Sequence, residues 1–65
     1  MKSKFVHFSV IEGYSNVIER AINVDHVIQF EPNLDRQGTC RVYLTEGKVI
    51  CVSGTFEQLI NIFNS

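Results

Sequence analysis

The segment from Arg41 to Ser65 changes its apolar period once, and that change constrains the fold more than anything else in the chain. Residues 41–53, R-V-Y-L-T-E-G-K-V-I-C-V-S, alternate in the manner of two strands joined at Glu46-Gly47. The chain then runs through Ser53-Gly54-Thr55 into an amphipathic helix. Thr55 and Gln58 have the spacing of a capping box, and Glu57 suits the positive first turn. Phe56, Leu59, Ile60 and Phe63 form one stripe at helical spacing, which reads as a core face. Ile62 falls off that stripe and reads as exposed.

Earlier segments repeat the strand pattern. Lys4–Ile11 alternates, with Val6, Phe8 and Val10 on one side and Phe5, His7, Ser9 and Ile11 on the other. Glu12-Gly13-Tyr14-Ser15 is a turn. Asn16–Asn23 is short and rich in β-branched residues; a strand is preferred over a helix, giving a first hairpin. Asn23-Val24-Asp25-His26 reads as a tight corner in which Asn23 and Asp25 bond nearby amides. Val27–Glu31 is a third strand, ended by Pro32, which has no N–H for a ladder. Pro32–Gly38 is the longest irregular polar stretch and reads as a mobile hairpin loop. Strands over 39–45 and 48–53 complete the set, with the helix over about 55–64.

The expected fold is therefore α+β and mostly β: about five antiparallel strands in a small curved sheet or barrel, with one C-terminal helix packed on it. Sixty-five residues make a single small domain over 1–65. A chain this short buries roughly 60% of its unfolded surface, so self-association is a common source of added stability. The 45% hydrophobic content, with five Phe, is enough for a packed core.

The last hairpin has two possible registers. A two-residue Glu46-Gly47 turn, the preferred one, puts Val42, Leu44, Val49 and Cys51 on one face. A type I turn with a Gly bulge would group Val42 and Leu44 with Ile50 and Val52. Either way the second face keeps apolar residues. In the preferred register Cys40 and Cys51 share a face diagonally, about 7–8 Å apart, which is too far for a comfortable disulfide. Their C-x10-C spacing matches no common zinc pattern. They read as small buried thiols, with redox or metal chemistry a minor alternative.

Charge is balanced, six Lys and Arg against seven Asp and Glu. The cations are scattered, whereas nucleic-acid binding draws on clustered ones. No apolar run approaches the roughly 18 residues of a membrane span, and the start lacks the pattern of a signal peptide, so the cytoplasm is the expected location. No phosphate loop, nucleophile elbow or metalloprotease motif is present. His26 beside Asp25, or a cysteine with His7, could be imagined as reactive pairs, but corner and surface roles explain them better. The expectation is no enzyme activity, no cofactor and no metal.

The block A-I-N-V-D-H-V-I-Q-F-E-P followed by C-R-V-Y-L-T-E-G-K-V-I-C-V-S-G-T-F-E-Q-L-I resembles the small FlbD-type flagellar regulatory proteins. The matching positions are Asn23, Val27, Phe30, Leu44, Thr45, Gly47, Lys48, Val52 and Leu59, within roughly residues 21–61. The strand core is also loosely similar to LytTR-type DNA-binding domains. The first hairpin is longer than the usual FlbD start and the Pro32–Gly38 loop is extended. The resemblance implies the same fold and a regulatory or interaction role, and it transfers no functional residue. Two expectations follow. The first is a homo-oligomer that also binds a protein partner, with Tyr43, Ile50 and Ile62 (joined by Phe5) as a candidate interface. The alternative is a nucleic-acid-binding regulator using Arg36, Arg41 and Lys48.

Overall fold

The computed structural model describes residues 4–64. Five strands form one antiparallel sheet: β1 Phe5–Glu12, β2 Asn16–Asn23, β3 Val27–Pro32, β4 Thr39–Leu44 and β5 Val49–Ser53. The helix α1 follows at Phe56–Phe63. Asn16–Asn23 is thus a strand, paired with β1 along all eight residues. The spatial order is β2-β1-β5-β4-β3. The sheet is curved but not closed, because no ladder joins β2 to β3. A 3₁₀ turn at Val24–His26 connects these two edges, and the Asn23 side chain accepts from the Asp25 N–H at 2.9 Å to start it.

Alternation decides which side chains α1 covers. Val6, Phe8 and Val10 of β1, Cys40 and Val42 of β4, and Val52 of β5 are buried with Leu59 of the helix. Helix entry is held by both arms of the capping box: Gln58 N–H donates to Thr55 Oγ1 at 3.2 Å, and Thr55 N–H donates to Gln58 Oε1 at 2.9 Å. Phe63 lies between Phe8 and Phe30, with ring centroids 5.7 and 5.0 Å away, and Phe56 meets Phe30 at 5.4 Å. The helix therefore spans from β1 to β3.

Two expectations are corrected. In the last hairpin Cys40 sits opposite Val52, Arg41 opposite Cys51, and Val42 opposite Ile50. The connection is one residue longer than the preferred two-residue turn, and Leu44 N–H donates to the Lys48 carbonyl at 2.7 Å. Val42 and Leu44 thus share a face with Ile50 and Val52. A one-residue slip moves every side chain of a strand to the other face, and this register is the one that delivers Val52 to Leu59. The two cysteines consequently point to opposite faces. The second correction is Ile62, which is half-buried and packs against the core. The covered face of α1 is centred on Leu59, with Ile62 and Phe63 beside it, while Phe56 is 38% exposed, so the face is turned toward Ile62 from the four-residue stripe.

The register has a local cost. Glu46 adopts φ 69 and ψ 21, a left-handed conformation that is unfavourable by about 1–2 kcal/mol for a residue with a Cβ. Gly54 is also required: at φ 141, a Cβ there would stand 3.0 Å from Leu59 Cδ1.

Two substitutions should move thermal unfolding in opposite directions, as followed by circular dichroism. Glu46→Asn should raise the midpoint by about 2–4 °C, since Asn tolerates the left-handed region at lower cost. Leu59→Ala should remove roughly 2–5 kcal/mol and leave the chain largely unfolded at room temperature.

Candidate functional site

The exposed surface divides into a cleft, a groove, an outer face and two sheet edges. The cleft opens on the helix side, beyond the part of the sheet that α1 fills. It encloses about 450 Å³ between Ile22, Leu44 and Ile50, with Glu12, Arg20 and Lys48 at its walls. Arg20 donates to Glu12 Oε2 at 3.0 Å. The pair is about half exposed, so it contributes under about 1 kcal/mol. Among the described residues Lys48 has no carboxylate partner.

A second groove of about 490 Å³ lies between the β3 edge and α1. Val24, Val27, Phe30, Phe56 and Phe63 line it, with Ile28 at the rim. Ile28 is 64% exposed because the β3–β4 register shifts between Val27 and Gln29, which leaves it outside the regular pairing.

The outer face carries polar clusters that sequence spacing does not reveal. His7 contacts Glu19, whose carboxylate also accepts from the Ser9 hydroxyl at 2.9 and 3.1 Å. Arg41 donates to Asp35 Oδ2 at 3.1 Å and lies 3.9 Å from Glu31. Tyr43 donates its hydroxyl to Glu31 Oε2 at 3.3 Å. The loop after β3 folds back over this face. Asn33 Nδ2 reaches Cys51 Sγ at 3.6 Å, and Arg36 donates to the Tyr14 carbonyl at 3.3 Å.

The candidate interface residues are not brought together. Tyr43 is on the outer face, Ile50 lines the helix-side cleft, and Ile62 belongs to the helix core. Phe5 is exposed on the outer side of β1. The three candidate cations are also dispersed: Arg36 in the loop, Arg41 between two carboxylates, Lys48 at the cleft. Sequence reasoning missed Val17 and Ile18 on β2 and Ile28 on β3, all exposed apolar residues on edge strands. The available signal was their place in the two strands flanking the Val24–His26 corner.

No cluster of three or more His, Cys, Asp or Glu side chains could hold a metal among the described residues. His26 Nδ1 lies 3.2 Å from Thr45 Oγ1. Cys40 and Cys51 are free thiols. Cys40 is fully buried and its Sγ donates to the Gly54 carbonyl at 3.4 Å. Burial pushes its pKa up, and the Cys51 thiol on the neighbouring strand pushes in the same direction. The chain matches no known family model, no curated protein and no solved structure.

The Cys40 shift has a definite sign. A thiol whose folded pKa is raised binds more protons folded than unfolded above the unfolded pKa, so stability falls as pH rises through that range. Between about pH 8 and pH 10 the parent should lose more stability than Cys40→Ala does over the same interval, measured by urea unfolding. Equal losses in the two chains would contradict the assignment. In the native chain a thiol reagent should label Cys51 well before Cys40.

Proposed function

We propose that this chain is a small, non-enzymatic interaction module with a regulatory role, which acts through protein–protein contacts and self-associates. One observation carries the reading: the sheet ends in two open edges that carry exposed apolar side chains. Val17 and Ile18 stand on β2, Ile28 on β3, and Phe56 beside the β3 groove. An edge offers a row of unpaired N–H and C=O groups, and apolar side chains around it add area for a partner to cover. The regulatory part rests on the resemblance to the FlbD-type proteins.

Its histidines and carboxylates support a non-catalytic reading, since most have surface partners: His7 with Glu19, Glu12 with Arg20, and Asp35 and Glu31 with Arg41. No helix among the described residues is long and apolar enough to cross a membrane, and a cytoplasmic location belongs to the same proposal. The nucleic-acid alternative has less support. Counterion release needs cations free to meet phosphates, yet Arg41 is occupied by two carboxylates and Arg36 by a backbone carbonyl.

Size-exclusion chromatography with light scattering, over a concentration series, tests the reading. The expected result is a mass of two chains or more. A single-chain mass at every concentration would overturn self-association. Labelled DNA or RNA at low salt should show no shift, and a salt-dependent shift would favour the alternative.

A further inference from the structure

We infer that the partner of the β2 edge is the β2 edge of a second copy, paired antiparallel about a two-fold axis that passes through Ile18. The inference rests on the self-association proposed above and adds its interface and register.

The two edges of the sheet are not equally available. β3 ends in Pro32, which cannot donate to a ladder, and its pairing shifts between Val27 and Gln29. Proline and bulges are the devices that blunt an edge against strand addition. β2 has neither. Its eight residues, N-V-I-E-R-A-I-N, contain no Pro, Gly or Lys, and they pair with β1 without a break. Every side chain from Asn16 to Ala21 is exposed, Val17 by 57% and Ile18 by 38%.

Symmetry and charge then select the register. For a sheet continued across a two-fold axis, residues that face each other point to the same side, so the residue on the axis faces itself. With Glu19 on the axis, two carboxylates stand opposite each other. With Arg20 there, two guanidinium groups do. Directly opposed like charges are destabilising in a strand pair. With Ala21 on the axis the overlap, residues 19–23, is as long as the 16–20 overlap about Ile18, but it leaves Val17 and Ile18 outside the ladder. With Ile18 on the axis, the Ile18 side chains meet on the helix side, next to Arg20 opposite Asn16. On the outer side Val17 lies opposite Glu19, and the two Val17 residues are diagonal neighbours. This is the register that gathers the exposed apolar side chains of both copies without setting like charges face to face. The overall charge of −1 per chain adds little repulsion between copies.

The test uses the 65-residue chain and two independent readouts. Light scattering should give a dimer for the parent, and Ile18→Lys should raise the dissociation constant at least tenfold while the strand signal in circular dichroism persists. In a Cys51→Ser background, mild oxidation should cross-link Ile18→Cys, because directly opposed Cα atoms are about 4.5–5.5 Å apart. Glu19→Cys, two residues out of register with itself, should stay uncross-linked. If the parent is a dimer and Ile18→Lys remains one, the β2 interface is wrong although self-association stands. If Glu19→Cys cross-links and Ile18→Cys does not, the register is wrong. A monomeric parent would overturn the self-association reading itself. Should Ile18→Lys fail to fold, the cross-linking pair still decides.

Discussion

The burial of Leu59 in the concave face of the sheet is the contact on which the rest of the structure depends. A single curved sheet has no second layer of its own, and one eight-residue helix must supply it. Leu59 is fully buried against side chains from β1, β4 and β5. The connection from β5 to α1 is built around the same point. Gly54 has no Cβ to strike Leu59, its N–H donates to the Gly38 carbonyl at 2.8 Å, and its carbonyl accepts from Cys40 Sγ. The end of the β3–β4 loop, the start of β4 and the entry to the helix are thus tied to one residue. In a chain this small, few other contacts could replace it.

The parts of the fold that follow from periodicity were legible in the sequence. Alternation marked the strands, and the change of period at Thr55 marked the helix and its cap. What escaped depended on conformations that the residue types do not favour. The hairpin register turned on Glu46 adopting a left-handed conformation, and glutamate carries little signal for that. A single residue of loop length then reversed the faces of Cys51, Ile50 and Val52. Ile62 escaped because the covered face of the helix is turned from the Phe56–Leu59–Ile60–Phe63 stripe toward Ile62, and the apolar residues on both sides of Leu59 do not fix that angle. The candidate interface was less legible still. Tyr43, Ile50 and Ile62 were chosen as surplus apolar residues, and two of the three help fill the helix side of the sheet. Surplus in a sequence pattern does not distinguish a second covered face from a core wider than expected.

The polar surface follows a different logic from the core. Its ion pairs join residues far apart in sequence but close across the sheet: His7 with Glu19 across one strand pair, Arg41 with Asp35 from a loop folded back over the sheet. All are exposed enough that each adds little to stability. Their larger effect is on the field around the molecule. They hold the Arg20 and Arg41 charges locally, each against a carboxylate.

The open gap between β2 and β3 links fold to assembly. Three residues, Val24–His26, connect these strands, so a ladder between them would have closed the sheet and removed both edges. Instead Val24 and Val27 pack against the core beside α1, the Val24 N–H donates to the Lys4 carbonyl at 2.9 Å, and the early part of β3 loses regular pairing at Ile28. The chain at the corner is spent on holding the helix side together. Failure to close leaves two edges. One is blunted by Pro32 and an irregular register, and the other is regular and exposed along most of its length, with Val17 and Ile18 as its exposed branched apolar residues beside the charged Glu19 and Arg20. The asymmetry matters because a sheet with two equally open edges can extend without limit, whereas one with a single usable edge is completed by one more copy. The short corner Val24–His26 thus stands between two unequal edges, and the two-fold pairing proposed above would use the regular one.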